Sequence, residues 1–237
     1  MLRPAAVALR ALARHAAPRS GVRGSSVSSQ LTGTGFVKSP EKVAELYGSW
    51  GSENYDADVT KWGYKLPQLA AEYTRSVTSP GIFEGAKILD AGAGTGLLAH
   101  SLKEAGVKDA TAIDICTELL SKAMKSGFYS CCKVVDLKAT LDFPDSCFDV
   151  TLCLGTLTYM DPENSTMSEL LRVTRHGGIV VFSMRTDHIS KWEGLLESML
   201  AKGSWEHLGT SDAFDYLPAN PDYGDNVLVK VFVYKKK

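Results

Sequence analysis

The chain has 237 residues, of which 44% are hydrophobic and 22% charged, with 26 basic and 27 acidic side chains. These values are ordinary for a globular chain of one domain or a small pair, and they exclude collagen-like, disordered and membrane-bundle proteins. No apolar run approaches the roughly 18 residues that a membrane helix needs, so we expect no membrane insertion.

The first segment, residues 1–39, is rich in Arg and Ser. Residues 1–40 carry six basic side chains and no acid, which leaves 20 basic and 27 acidic residues in residues 41–237. This basic leader has the composition of a mitochondrial transit peptide and lacks the apolar core of a secretory signal, so we expect a protein of the mitochondrial matrix. The alternative is that residues 1–39 form an N-terminal tail without a targeting signal and that the protein is cytoplasmic.

Residues 40–80 are expected to form helices, predicted at Lys42–Tyr47 and Leu66–Val77, and residues 86–237 alternate between strands and helices. The predicted strands are Lys87–Asp90, Asp109–Asp114, Cys131–Asp136, Phe148–Leu154, Ile179–Arg185 (after a turn at Gly177-Gly178), Trp205–Phe214 and Val227–Tyr234. The predicted helices between them are Gly96–Ala105, Thr117–Lys125, Ser165–Thr174 and Ser190–Ala201. This order predicts an α/β fold with a doubly wound, seven-stranded sheet, mostly parallel, with helices on both faces and an antiparallel C-terminal hairpin.

The strongest local signal is the segment Asp90–Gly96, D-A-G-A-G-T-G, between the first strand and the next helix. In parallel sheets, ligands bind at this end of the strands, and glycines let them approach the backbone. A dinucleotide fingerprint would need glycine where Leu97 stands, and a phosphate loop would need a lysine that the segment lacks. The acid at Asp90 suits a cationic ligand. The alternative is a glycine-rich turn without a ligand.

Two further acids follow strands. Asp114 ends the second predicted strand, where a carboxylate can accept both hydroxyls of a ribose. Asp136 ends the third and could accept from an adenine amino group. Taken alone, each residue is interpreted equally well as an exposed acid at a strand end.

Together, the motifs resemble those of class I S-adenosylmethionine-dependent methyltransferases. The resemblance covers residues 40–237 and adds V-D-L around Asp136, F-P-D-S-x-F-D-V at residues 143–150 and L-L-R-V-T-R-H-G-G-I at residues 170–179. His176 departs from the family, which commonly has Pro at this position. The resemblance implies a Rossmann-like fold, S-adenosylmethionine as the cofactor and methyl transfer as the reaction.

The resemblance also implies roles for individual residues. The methionyl part of the cofactor is assigned to Gly92, Gly94 and Gly96. Asp90 is expected to reach its ammonium group through water or backbone, and Leu154 and Gly155 to offer backbone groups to the same end.

The adenosine part is assigned to the strand-end acids and their neighbours. Asp114 holds the ribose, Ile115 packs on the adenine, and Asp136 with Leu137 recognises the adenine edge. Tyr47, Trp50 and Tyr55 are assigned to an N-terminal lid over the cofactor. The alternative for these three aromatic residues is ordinary packing of helices on the sheet.

Methyl transfer from a sulfonium depends on alignment and exclusion of water, so it needs no diagnostic base. We therefore assign no catalytic residue; the side chains near the mouth are Thr156, Thr158, Tyr159, Arg185, Asp187 and His188. The absence of N-P-P-Y after the fourth strand, where L-C-L-G-T-L stands, disfavours methylation of DNA bases or protein glutamine. No large insertion is present, which favours a small-molecule acceptor. The alternative is a catalytically silent module that binds S-adenosylmethionine and acts through its liganded state.

The remaining expectations concern partners and metals. The acidic body, with a net charge of −7 over residues 41–237, lacks a basic stripe, so we expect no nucleic-acid partner. Five cysteines are an odd number without a C-x-x-C pair, which indicates neither a disulfide framework nor a metal site. We expect a monomer in a reducing compartment.

Overall fold

A computed structural model describes residues 39–79, 81–223 and 227–237. The basic leader therefore lies outside the described residues, apart from Ser39. The described chain begins with three helices, α1 (Pro40–Trp50), α2 (Ser52–Lys61) and α3 (Leu66–Val77). Helix α2 was not predicted, because only Val59 of its ten residues is buried and the segment has no apolar periodicity.

Eight strands and four further helices follow. The strands are β1 (Ile88–Ala91), β2 (Ala110–Asp114), β3 (Tyr129–Val134), β4 (Phe148–Cys153), β5 (Thr174–Arg185), β6 (Trp205–Thr210), β7 (Phe214–Asp215) and β8 (Leu228–Lys236). The helices are α4 (Leu98–Glu104), α5 (Thr117–Lys125), α6 (Thr166–Val173) and α7 (Ile189–Ala201). Short 3-10 turns at Leu157–Tyr159 and Thr186–His188 follow β4 and β5.

The strands form one sheet in the order β3-β2-β1-β4-β5-β8-β6, with β7 paired to β8. Strands β1 to β5 are parallel, and β8 lies antiparallel between β5 and β6. The mostly parallel sheet with antiparallel C-terminal strands is therefore confirmed. The direction of winding reverses between β1 and β4, so their carboxyl ends form the crevice where such sheets bind ligands.

The sheet has eight strands and not the expected seven, because the predicted strand Trp205–Phe214 is interrupted and forms two strands, β6 and β7. Its pairing with β8 shifts register between His207 and Gly209. After β6, Val231 donates its amide to the Ser211 side-chain oxygen at 2.9 Å, a bond that takes the place of a regular ladder contact. Pairing resumes in the two residues of β7.

A second correction concerns the start of β5. Gly177-Gly178 was expected to form a turn before this strand, but the strand already begins at Thr174. Pairing with β4 changes register between Phe148 and Val150, and Gly177 has a φ of +74°. The glycines therefore form an irregularity within the strand, not a turn outside it.

Helices cover both faces of the sheet, as predicted. Alternate residues of the strands face opposite sides, so Ile88 joins one hydrophobic cluster and Leu89 the other. Residues of α3, α4 and α5 complete the first cluster, and residues of α6 and α7 the second. Within the described residues there is no helix with the length and apolar character to cross a membrane.

The motif segments at residues 143–150 and 170–179 contact each other. The Arg172 guanidinium donates to the carbonyl oxygens of Leu141 and Phe143 at 2.8 and 2.9 Å, and to the carboxylates of Asp145 and Glu169 at 2.6 and 2.7 Å. Hydrogen bonds with Arg172 hold the pKa of Glu169 below its usual range, against the effect of burial. Arg172 therefore clamps the loop that leads into β4, which makes its role structural.

Candidate active site

The glycine segment folds back against the end of β2. The amides of Gly92 and Ala93 both donate to the Ile113 carbonyl, at 2.8 and 3.0 Å. Gly92 has a φ of +79°, and a Cβ there would lie 2.2 Å from the Thr156 hydroxyl oxygen. Glycine is thus required both for the backbone conformation and for the close approach of the loop after β4. The result is a cradle of exposed backbone at the carboxyl end of β1.

Asp114, the last residue of β2, holds this loop in place. Its Oδ2 accepts a hydrogen bond from the Gly94 amide at 2.8 Å, and its Oδ1 accepts one from the Cys116 amide at 2.8 Å. Burial raises the pKa of Asp114, and these backbone hydrogen bonds act in the opposite direction. Because an ionised carboxylate offers about four lone-pair sites, it retains capacity to accept ligand hydroxyls.

Asp136 lies near Asp114, but not at the end of its strand as predicted. Strand β3 ends at Val134, two residues earlier than expected, and the Val135 amide donates to the Asp114 carbonyl at 2.9 Å. The Oδ1 of Asp136 accepts from the Lys138 amide at 2.9 Å, which fixes the turn. Asp136 is therefore held beside Asp114 by a loop after β3.

One pocket, of about 780 Å³ including its open mouth, lies over these carboxyl ends. It brings together ten of the predicted site residues: Tyr47, Tyr55, Gly92, Gly94, Asp114, Ile115, Asp136, Leu137, Leu154 and Gly155. Three others, Asp90, Gly96 and Trp50, do not line it.

Asp90 lies beneath the glycine loop. Its side chain is 3% exposed, and its Oδ2 accepts a hydrogen bond from the Tyr129 hydroxyl at 2.7 Å. Burial raises the pKa of Asp90 to about 7; the hydrogen bond from Tyr129 lowers it and the nearby Asp114 raises it further. A Cβ at Gly96 would lie 2.9 Å from the Tyr129 ring, so this glycine makes room for the same buried tyrosine.

The three predicted lid residues form an aromatic cluster in α1 and α2. Trp50 lies at its centre, 5.2 Å from the Tyr55 ring and 6.3 Å from the Tyr47 ring between centroids. The Trp50 indole is 7% exposed and donates to Asp58 at 2.9 Å. Tyr47 and Tyr55 face the pocket, whereas Trp50 supports them from behind.

Helix α2 is fastened to the glycine loop by contacts that the sequence did not predict. The Thr95 hydroxyl donates to Asp56 at 2.5 Å. The Lys122 ammonium, in α5, lies 2.9 Å from both Glu53 and Asp56. We call these four side chains the α2 latch. It joins the N-terminal helices directly to the loop that forms the cradle.

Sequence reasoning also missed residues that line the pocket from distant parts of the chain. They are Pro40, Val43, Tyr64, Leu119, Val135, Lys138, Met160 and Tyr216. Tyr64 follows a helix end and Tyr216 follows β7, and no local pattern distinguishes either from an ordinary loop tyrosine. Thr156, named only as a residue near the mouth, lines the pocket as well.

The charged residues at and just after the end of β5, Arg185, Asp187 and His188, lie outside the pocket lining. Arg185 donates to both carboxylate oxygens of Asp187, at 3.0 and 2.6 Å. Burial lowers the pKa of His188, while Asp187 acts in the opposite direction. Among the described residues, no group of His, Cys, Asp and Glu is arranged to hold a metal ion.

Comparisons with known proteins agree with this geometry. Residues 89–182 match the family described as "Methyltransferase domain". The chain is 30% identical over 169 residues to human (Homo sapiens) methyltransferase-like protein 27, covering 69% of this chain and 68% of that protein. It is also 30% identical over 135 residues to a malonyl-[acyl-carrier protein] O-methyltransferase of Pectobacterium atrosepticum, covering 56% of this chain and about half, 49%, of that protein.

A solved structure shares the fold. Magnesium protoporphyrin IX methyltransferase from Synechocystis, with bound S-adenosylmethionine, superposes with a TM-score of 0.61 at 16% identity, covering 87% of this chain and all of that chain. The pocket lined by Gly92 and Gly94, with the carboxylates of Asp114 and Asp136 in the same lining, fits an adenosyl sulfonium. The match to the human relative over two thirds of its length, together with this pocket, shows that the chain belongs to the class I S-adenosylmethionine-dependent methyltransferases and that its cofactor is S-adenosylmethionine.

Proposed function

We propose that the acceptor of the methyl group is a small molecule and that the methylated atom is an oxygen. The observation that carries the proposal is the roofed pocket, because Tyr47 and Tyr55 of the N-terminal helices line it opposite the glycine loop. A pocket enclosed in this way admits a small molecule, or a small group on a larger carrier. The bacterial relative named above is an O-methyltransferase, which favours an oxygen nucleophile.

In this reaction the protein orients the reactants and excludes water. In this proposal Asp114 and Asp136 bind the adenosine hydroxyls and the adenine edge, and Gly92 and Gly94 contact the methionyl end; the proposal is supported by the presence of all four residues in the lining of one pocket. When bound, the cofactor supplies an electrophilic methyl group on a positively charged sulfur. The tyrosines of α1 and α2 exclude water from that methyl group, which favours attack by the acceptor.

The experiment is to incubate the protein with S-adenosylmethionine labelled in its methyl group and a fractionated cell extract. We expect label in the small-molecule fraction as O-methyl products, and much less of it with the Asp114→Ala variant. Label found mainly in protein or nucleic acid would contradict a small-molecule acceptor. Label found in N-methyl products would contradict the oxygen nucleophile.

A silent binding module is the second candidate. It is favoured by two observations on proton acceptors for an oxygen nucleophile: within the described residues no histidine lines the pocket, and Asp90, the carboxyl whose pKa is about 7, lies beneath the loop. Such a module would bind S-adenosylmethionine without converting it to the demethylated product in any extract. Formation of that product in proportion to a methylated acceptor decides for the enzyme.

We further propose that residues 1–39 direct the protein to the mitochondrial matrix. The proposal rests on the composition of the leader, with Arg3, Arg10 and Arg14 close together on a helical projection and no acid. A fluorescent protein fused to residues 1–39 is expected to enter mitochondria, and to stay outside them when these three arginines are replaced by Gln. Uniform cytoplasmic fluorescence of the unaltered fusion would contradict the proposal.

A further inference from the structure

Four tyrosines line the pocket over the glycine loop: Tyr47, Tyr55, Tyr64 and Tyr216. Two of them are fixed by elements far apart in the chain. The Tyr64 amide donates to the Val59 carbonyl of α2, and the Tyr216 amide donates to the Val227 carbonyl before β8, both at 3.0 Å. The rings of Tyr64 and Tyr216 meet edge to face, with their centroids 5.6 Å apart. The N-terminal helices and the C-terminal strands therefore meet in this pair of tyrosines.

The hydroxyls of this pair converge on Gly155, just after β4. A Cβ built on Gly155 would lie 3.0 Å from the Tyr216 oxygen and 3.2 Å from the Tyr64 oxygen. Gly155 has a φ of +71°, and its amide donates to the Ser183 hydroxyl of β5 at 2.8 Å. Glycine therefore suits both the backbone conformation and the close approach of the two phenolic oxygens. All three residues belong to the lining of the main pocket, at the carboxyl end of the central strands.

The charged side chains of the same lining come from other strands. Among the described residues they are Asp114, Asp136 and Lys138. Asp114 ends β2, and the other two belong to the loop after β3, which is separated from β4 by β2 and β1. These three residues belong to the side of the pocket that we propose to bind the adenosine. The lining near Gly155 thus offers hydroxyl and backbone groups.

The sulfur of the cofactor is bonded both to the ribose and to the methionyl chain. With the ribose at Asp114 and the methionyl chain at Gly92 and Gly94, as proposed above, and with Gly155 expected at the same end, the sulfur would lie between these contacts. A sulfonium polarises the C–H bonds of its methyl group, which makes them weak hydrogen-bond donors to oxygen. Aromatic rings also attract cations. The demethylated product, whose sulfur is neutral and carries no methyl group, gains neither interaction.

From these observations we infer that Tyr64 and Tyr216 form the subsite for the sulfonium methyl group, and that their hydroxyl oxygens favour S-adenosylmethionine over its demethylated product. The inference rests on the proposed function, in which this pocket holds the cofactor, and deepens it. Because a phenolic oxygen has two acceptor lone pairs, each can accept from the methyl group in addition to another partner. Loss of the positive charge on methyl transfer removes this contact, which favours release of the product.

The test compares three ligands that share the adenosine and amino-acid ends. S-adenosylmethionine carries a methylated, positive sulfur, S-adenosylhomocysteine, the demethylated product, carries a neutral sulfur, and sinefungin carries an ammonium group at the corresponding position. Their affinities for the unaltered protein, for Tyr64→Phe and for Tyr216→Phe are measured by calorimetric titration, which needs no acceptor. The Phe variants keep the rings and remove only the oxygens, so they separate the effect of the hydroxyls from that of ring packing.

Each Phe variant is expected to weaken S-adenosylmethionine binding about threefold, and the double variant about tenfold, as for loss of weak C–H···O contacts. The affinity for S-adenosylhomocysteine should change by less than about twofold, because it lacks the polarised methyl group. Sinefungin should lose about tenfold or more, because its ammonium group forms stronger, charge-assisted hydrogen bonds.

The matched control is Tyr73→Phe, because the Tyr73 hydroxyl lies against Gly209 and this tyrosine does not line the pocket. We expect it to bind all three ligands as the unaltered protein does. Thermal melting checks that the variants fold. If one does not fold, a fluorinated tyrosine is placed at Tyr64 or Tyr216 of the otherwise unaltered chain. Its fluorine resonance should then move further with S-adenosylmethionine than with S-adenosylhomocysteine, because only the former brings a positive charge to the phenol.

The outcomes separate the subsite from the proposed function. Equal losses of affinity for S-adenosylmethionine and S-adenosylhomocysteine in the Phe variants, an unchanged affinity for S-adenosylmethionine, sinefungin that behaves as S-adenosylhomocysteine, or equal resonance shifts would overturn the subsite. Those results would leave the proposed function in place, because the extract experiment measures it independently. Failure of all three ligands to bind would instead overturn the proposed function, and the inference with it.

Discussion

Two carboxylates at the glycine loop, the buried Asp90 and the half-buried Asp114, illustrate how little a residue type says about its role. Asp114 faces the pocket and accepts amide hydrogen bonds from Gly94 and Cys116. Asp90 lies below the loop, where its hydrogen bond comes from Tyr129. Asp114 thus lines the pocket, whereas Asp90 is buried where ionisation of its carboxyl is unfavourable.

Because ionisation of the buried Asp90 is unfavourable, we predict that the stability of the protein depends on pH. The pKa of Asp90 is raised from 3.8 to about 7 in the folded protein, so between these values the folded state binds this proton more tightly than the unfolded chain. The free energy of unfolding therefore falls as pH rises through this window and levels off above it. From pH 5 to pH 8 we expect a loss of roughly 2–3 kcal/mol from this group.

Urea denaturation of the cofactor-free protein and of Asp90→Asn, at both pH values, measures this loss. The amide can still accept from Tyr129 but does not ionise, so the variant is expected to gain stability relative to the unaltered protein as pH rises. A stability difference between the two proteins that is the same at pH 5 and pH 8 would show that Asp90 does not titrate in this range.

A second prediction at this scale concerns Asp114. Asp114→Ala is expected to weaken S-adenosylmethionine binding by about 1.5–3 kcal/mol, because a charge-assisted acceptor and the support of the Gly94 amide are both lost. Asp114→Asn, which keeps one acceptor oxygen, should lose less. Calorimetric titration makes the comparison, and an unchanged affinity in the alanine variant would mean that the ribose is held elsewhere.

At the scale of elements, the N-terminal helices are joined to the cradle mainly through side chains. Helix α2 has one buried residue, Val59, and Gly51 with a φ of +79° separates it from α1. Its hold on the rest of the molecule includes the α2 latch, formed by Glu53, Asp56, Thr95 and Lys122. An element held by few apolar contacts is expected to open at a low free-energy cost.

We therefore predict that residues 42–58 form a lid that cofactor binding orders. Amides of this segment should exchange quickly with solvent in the free protein and slow down when S-adenosylmethionine is added, because closing the lid excludes water. Residues 227–234, at the C-terminal strands, serve as the internal control and should hardly change. Hydrogen exchange followed by mass spectrometry measures both segments.

A substitution in the α2 latch provides a second test of this prediction. Asp56→Ala removes the partner of Thr95 and one of the two carboxylates paired with Lys122, so residues 42–58 should exchange faster than in the unaltered protein even when the cofactor is bound. If residues 42–58 show equal protection with and without cofactor in the unaltered protein, the aromatic cluster is permanent packing and there is no lid.

At the scale of the whole molecule, the fold could host either of two adenosine ligands, and the loop sequence selects between them. Leu97 stands where a dinucleotide fingerprint needs glycine, and the buried Asp90 beneath the loop is unfavourable to a pyrophosphate. S-adenosylmethionine carries a positive sulfonium and ammonium, and it suits the same place. The excess of acidic over basic side chains in residues 41–237 is likewise compatible with a positively charged cofactor.

We predict that S-adenosylmethionine or its demethylated product stabilises the protein against heat and that NADH does not. At a ligand concentration 100 times the Kd, binding contributes about 2.7 kcal/mol, which corresponds to a rise in Tm of about 5–10 °C for a chain of this size. Differential scanning calorimetry with each ligand tests this. Stabilisation by NADH, without any by the sulfur ligands, would contradict the assignment of the cofactor.

Much of the fold and half of the site were accessible from the sequence. Strand and helix periodicities are local, and they predicted the parallel sheet, its antiparallel end and the helices on both faces. The residues predicted to bind the cofactor were found together in one pocket for the same reason: Gly92, Gly94, Asp114 and Asp136 lie at or just after strand ends, and parallel strands bring those ends to one edge. The sequence by itself therefore determined the fold class and the chemistry of the cofactor.

Only the tertiary structure decided the rest, because it depends on contacts between residues far apart in the chain. Tyr64 and Tyr216 leave no joint pattern in the sequence, yet their hydroxyls meet over Gly155. Asp90 follows the family motif, but its burial in the folded protein raises its pKa, and a hydrogen bond from the distant Tyr129 hydroxyl acts in the opposite direction. Long-range packing, which no local periodicity encodes, thus determined the tyrosine side of the pocket and the pKa of the carboxyl beneath the glycine loop.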